Sequence, residues 1–166
     1  MAQEEAHTPL LSPGFARRRF TLATWGSAAG YPLLTLGLSP VMMWLTGTDT
    51  DALTGAEGTA ALIPLFGFVL YLARGAAHTV RSEQRELAGK ARTLASAAQG
   101  DDRFEVETRA YHFGITLTAV SSAFNTRILP RRVAADFARR VLGEAKTDGL
   151  SPETLRVVQD LGRMEL

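Results

Sequence analysis

The sequence predicts an all-α membrane protein: a two-helix transmembrane hairpin followed by a small, mainly helical cytoplasmic region. Three observations carry that expectation. Residues 20–45 hold no charged side chain, and a bilayer's hydrocarbon core takes about 20 apolar residues of helix. A second uncharged run covers residues 58–73. Arginine flanks both runs on their outer sides, while the segment between them, residues 46–57, carries acids and no Lys or Arg. Positive charge is retained on the cytoplasmic side of a membrane, so this asymmetry puts both termini inside and the acidic loop outside.

The totals bound the rest. A chain of 166 residues makes one domain, or a small membrane unit with one soluble appendage. The mean hydropathy of +0.01 averages two apolar runs with a charged tail. Net charge is +1, too small for a global field that gathers nucleic acid or acidic ligands. Cysteine is absent, which excludes disulfides, thiolate catalysis and Cys-ligated metal sites.

Residues 1–19 read as a cytoplasmic N-terminal arm, polar and broken by Pro9, Pro13 and Gly14, with its first sixteen residues irregular until a partner orders them. Arg17, Arg18 and Arg19 close it directly against the apolar run and act as anchors at the membrane interface. The stretch RRRFTL also looks like a twin-arginine export signal. No small-x-small cleavage site closes the run, so arginines fixing a retained anchor are the better reading.

The first span is residues 20–45. Trp25 and Trp44 lie 19 residues apart in the sequence, roughly 28 Å along a helix, and so mark the two interfaces. Gly26 and Gly30 form GxxxG within a small-residue patch, a helix-packing face. Pro32 and Pro40 are expected to kink the span or shorten its regular part. The loop, residues 46–57, holds Asp49, Asp51 and Glu57, whose spacing matches no calcium loop.

The second span, residues 58–78, is the shorter one, with its charge-free part covering about 24 Å. Arg74 snorkels to lengthen it, and Gly67 offers room for a bulky residue of the first span.

Residues 79–166 form the cytoplasmic helical region. Val80, Leu87, Ala91, Leu94 and Ala98 make one apolar stripe on a helix that runs to Gln99, continuing the second span. Residues 103–110 alternate apolar with charged, which reads as a short β element. Residues 110–126 are uncharged but rich in Thr and Ser, and a third crossing would export five arginines. They read instead as a helix on the membrane or packed in the appendage. Residues 131–146 make an amphipathic helix with Val133, Phe137, Val141 and Leu142 on one face. Ser151-Pro152-Glu153 opens a last helix with Leu155, Val158 and Leu161 on its apolar side.

No P-loop, dinucleotide fingerprint, HExxH or G-x-S-x-G is present. The spans carry no Asp, Glu, Lys or His at their centres, which argues against a carrier built on intramembrane charge. His7, His78 and His112 are too scattered for a metal site, and His78 lacks a second axial histidine for haem. The expectation is therefore a chain without catalytic, metal or cofactor-binding residues and without a cofactor. It is a non-catalytic accessory subunit of a multi-subunit inner-membrane complex. The alternative is a homo-oligomeric two-span pore gated by its cytoplasmic helices, and a membrane-tethered enzyme ranks third. Expected partners are membrane lipids and other integral membrane subunits or copies of the chain itself. Nucleic acid is set aside because no aromatic platform accompanies the arginines. Alanine- and arginine-rich usage points to a bacterial source.

Overall fold

A computed structural model describes residues 11–46, 56–122 and 129–164. All regular structure among them is helical: α1 (Pro13–Thr46), α2 (Ala56–Ala97), α3 (Arg103–Ser122), α4 (Arg131–Thr147) and α5 (Pro152–Gly162). Of the segment expected as the acidic loop, residues 46–57, Thr46 ends α1 and Ala56 and Glu57 begin α2, while residues 47–55 lie outside the described residues, as do residues 1–10, 123–128 and 165–166. The chain divides into two compact units. One comprises Met1–Thr21 with Arg81–Leu166, and the other is Leu22–Val80.

α1 begins earlier than the sequence led us to expect. Ser12 caps it, its Oγ accepting from the Phe15 amide at 3.3 Å, and Pro13 takes the first helical position. Leu11, Ala16 and Phe20 are buried. The stretch 11–16 is thus ordered against its own chain, where an irregular arm was expected. The reason is hydrophobic: Ala16 and Phe20, four residues apart, share one buried face of α1, and Leu11, in the turn before the helix, is buried as well. Pro32 and Pro40 do not interrupt α1, which is continuous from Pro13 to Thr46.

α2 is 42 residues long, about 63 Å of helix, and it passes without a break from the apolar run into the charged segment. The expected stripe is present as far as Leu94: Val80, Leu87, Ala91 and Leu94 are buried, joined by Ala88 and Ala95, whereas the helix ends at Ala97, short of the expected Gln99, and Ala98 is half-buried beyond it.

α3 corrects the β element near residues 103–110, since Arg103–Ser122 is one helix. Asp102 caps it, its Oδ1 accepting from the Phe104 and Glu105 amides at 3.0 and 3.2 Å. Val106, Ala110, Phe113, Leu117 and Val120 are buried at helical spacing. A lone strand would leave both its edges unpaired, whereas a helix satisfies its backbone internally and buries this stripe. α3 packs on α4, where the Phe113 and Phe137 rings meet edge to face with centroids 6.5 Å apart. As far as Ser122 the uncharged run is thus part of a helix packed on α4.

α4 buries Ala134, Phe137, Ala138, Val141 and Ala145. Val133 and Leu142 are only half-buried, so the buried face is rotated by about a residue from the expected one. Gly149, at φ 93°, reverses the chain. Ser151 then caps α5, its Oγ accepting from the Thr154 amide at 3.2 Å. Glu144 ties this corner together. Its Oε1 accepts from Arg140 Nε at 2.9 Å, and its Oε2 accepts from the Ser151 amide at 3.1 Å. Burial pushes the Glu144 carboxyl upward, but hydrogen bonds from Arg140, Thr154 and Ser151 outweigh it and hold the group below the usual carboxylate range.

Candidate membrane interface

The unit Leu22–Val80 exposes what a water-soluble fold hides. Leu22, Leu33, Leu34, Leu36 and Leu38 of α1 are all more than half exposed, as are Ile63, Phe68, Leu70 and Tyr71 of α2. Trp25, Ile63 and Tyr71 reach 71%, 70% and 73%. Left in water, each large side chain forgoes about 1.5–3 kcal/mol of burial. Contiguous apolar surface on this scale marks a membrane or protein interface. Among the described residues one helical stretch, Ile63–Ala97, is long and apolar enough to cross a membrane, and only 17% of its apolar window is buried. The candidate crossing therefore falls on the run that the sequence made the shorter of the two. The helix gains its length by continuing through residues 74–97.

Hydroxyls on these two helices bond within their own helix. Thr35 Oγ1 donates to the Tyr31 carbonyl at 2.9 Å, and Ser39 Oγ donates to the Leu36 carbonyl at 3.1 Å. Thr79 Oγ1 donates to the Gly75 carbonyl at 3.0 Å. Hydroxyls that bond back into their own helix need no water, and Thr118 and Thr147 of the other unit do the same, so these bonds are compatible with an apolar medium without singling one out.

Trp25 stands exposed on α1, six residues beyond Arg19. Trp44 lies within the α1 backbone, near its end. Arg17, Arg18 and Arg19 are exposed, Arg19 standing over the Phe15 ring at 5.1 Å. Arg74 is exposed three residues beyond Tyr71. Gly26, Gly30 and Gly67 are brought to no close contact with any described residue. A Cβ built on any of them meets no atom within 4 Å. Whatever these glycines admit, it is not a described residue of the same polypeptide.

The other unit holds one open groove of about 400 Å³ between α3 and α4, lined by Tyr111, Gly114, Ile115, Ala138, Arg139 and Leu142. Its one charged lining residue, Arg139, is already paired with Asp136 at 2.6 Å. His112 is exposed and meets the edge of Tyr111 at 5.9 Å. Among the described residues no three His, Asp or Glu side chains gather where a metal ion could be held. Two features escaped the sequence reading. Gln84 is buried, with its Oε1 lacking a hydrogen-bond partner among the described residues. Phe104 is 77% exposed on the outer face of α3. A polar residue in an otherwise good stripe, and an aromatic just after a helix cap, carry no signal that separates these environments. No family model, curated protein or solved structure matches this chain.

Proposed function

We propose that the chain is a non-catalytic accessory subunit of a multi-subunit complex in the inner membrane of a bacterium, held there by a two-helix hairpin with both termini in the cytoplasm. The observation that carries this reading is the exposed apolar surface of Leu22–Val80. Lipid hydrocarbon covers such a surface without cost, and neighbouring membrane helices cover the rest of it. The open faces at Gly26, Gly30 and Gly67 support a protein neighbour, because small residues let a second helix approach closely and no described residue of this chain fills them. The arginines at both outer flanks and the acidic loop between the runs support the topology. The appendage, with its paired charges and its groove of small and apolar residues, is built for packing rather than for chemistry.

Purification of the tagged full chain in mild detergent, followed by mass spectrometry, tests the assignment. A constant set of integral membrane polypeptides retained in fixed ratio is the expected result. Recovery as a lone monomer that carries nothing with it would contradict the assignment.

A further inference from the structure

We infer that Arg17, Arg18, Arg19, Arg81 and Arg85 form a binding surface for the phosphodiester headgroups of anionic phospholipids. The inference rests on the membrane reading above and adds a lipid preference to it.

Charge bookkeeping within the chain is the first observation. Among the described residues, ion pairs engage Arg109, Arg139, Arg140 and Arg163 of the α3–α5 region. None engages an arginine of α1 or α2. No Asp or Glu lies between Glu5 and Asp49, so Arg17, Arg18 and Arg19 stand on a helix with no acid of its own. Arg19 stands over the Phe15 ring and forms no ion pair among the described residues. Arg81 and Arg85 are exposed and four residues apart, hence on one face of α2. The acids nearest to them on that helix, Glu83 and Glu86, form no ion pair with either.

Geometry is the second observation. Successive residues turn by about 100° around a helix, so Arg17, Arg18 and Arg19 sweep roughly 200° of the circumference of α1. Ala16 and Phe20, both buried, occupy the remaining sector. Every direction in which α1 is uncovered at this height therefore carries a guanidinium. A single docked protein contacts one side of a helix, whereas headgroups surround it. Arginine also suits phosphate, because its planar fork donates two parallel hydrogen bonds. Position fits as well. Arg19 ends three residues before Leu22, the first strongly exposed apolar side chain of α1, about 4.5 Å along the helix.

A basic residue near an anionic leaflet is worth about 1 kcal/mol, or roughly fivefold in binding. The chain's own tryptophans supply the probe, since Trp25 and Trp44 are the only two and Trp25 is exposed beyond the arginines. The full chain is reconstituted into vesicles containing brominated phosphatidylcholine or brominated phosphatidylglycerol, and quenching of tryptophan fluorescence gives the relative binding of the two lipids at its surface. A preference of fivefold or more for phosphatidylglycerol is expected. It should fall to near one in the chain carrying Arg17→Gln, Arg18→Gln, Arg19→Gln, Arg81→Gln and Arg85→Gln. It should also fall for the unmodified chain in 1 M salt, where the Debye length is about 3 Å; that arm needs no variant to fold. Equal quenching by the two lipids in the unmodified chain would overturn this inference and leave the membrane reading standing. So would a preference that survives both salt and substitution. Absence of quenching by either lipid would overturn both.

Discussion

Gly162 of α5 lies directly against the backbone of Arg92 in α2. A Cβ at position 162 would stand 3.2 Å from the Arg92 amide nitrogen and 3.3 Å from its Cα. The last helix can pack this closely on α2 only because the residue at the contact has no side chain. Backbone cannot step aside as a side-chain tip can, so Gly162→Ala should destabilise the chain by about 1–3 kcal/mol through overpacking. The check is thermal unfolding of the full chain in detergent, followed by circular dichroism.

Gly114 provides the contrast within the same unit. A Cβ there would meet the Ala138 Cβ at 3.5 Å and the Leu142 Cδ1 at 3.7 Å, which is ordinary contact. Gly114→Ala should leave stability unchanged or raise it by up to about 1 kcal/mol, the helix-propensity difference. A large loss in that variant would mean that α3 and α4 lie closer together than described.

The Glu144 corner sets a pH dependence. Its folded carboxyl titrates below the usual carboxylate range because hydrogen bonds from Arg140, Thr154 and Ser151 overcome the effect of burial. A group depressed on folding contributes stability above its unfolded value and loses that contribution as pH falls through the folded value. The loss therefore belongs below the ordinary carboxylate value of 4.5. Unfolding midpoints measured for the parent chain and Glu144→Gln should differ at neutral pH and converge as the solution is acidified through that range. A gap that persists in acid would remove Glu144 from this role.

Ser151→Ala removes the cap that accepts from the Thr154 amide, at an expected cost of about 1 kcal/mol. Chemical denaturation of the two chains side by side reads this directly, and an unchanged midpoint would show that the cap is replaced by water.

These positions also show what could be read from the residues alone. The Ser151-Pro152 start of α5, the two uncharged runs and the stripe from Val80 to Leu94 were all legible, because caps and periodicity are local signals. The equivalent Ser12-Pro13 start of α1 was overlooked because prolines and a glycine nearby resemble a disordered arm. Residues 103–110 misled for a different reason. Phe104, Val106, Thr108 and Ala110 alternate with charged residues, but only Val106 and Ala110 are buried. The helical stripe becomes visible once it is followed onward to Phe113 and Leu117. Gly162 was illegible because its reason lies 70 positions away at Arg92, and a close backbone approach of that kind leaves no mark in local sequence.

The glycines of the apolar helices yield a prediction about assembly. No described residue approaches Gly26 or Gly30, so the pair Gly26→Leu and Gly30→Leu should leave the chain helical and membrane-inserted. If a second membrane helix packs there, the same pair should strip away copurifying subunits. Retention of every partner at unchanged ratio would move the contact to another face.

Sidedness tests the central claim most directly. The chain has no cysteine, so single cysteines introduced as Asp51→Cys and Arg132→Cys are unique targets for a membrane-impermeant maleimide applied to intact cells. The expected result is labelling of the Asp51→Cys chain from outside, and of the Arg132→Cys chain only after the membrane is permeabilised. Labelling of both from the same side, or recovery of the chain in the soluble fraction, would contradict the hairpin.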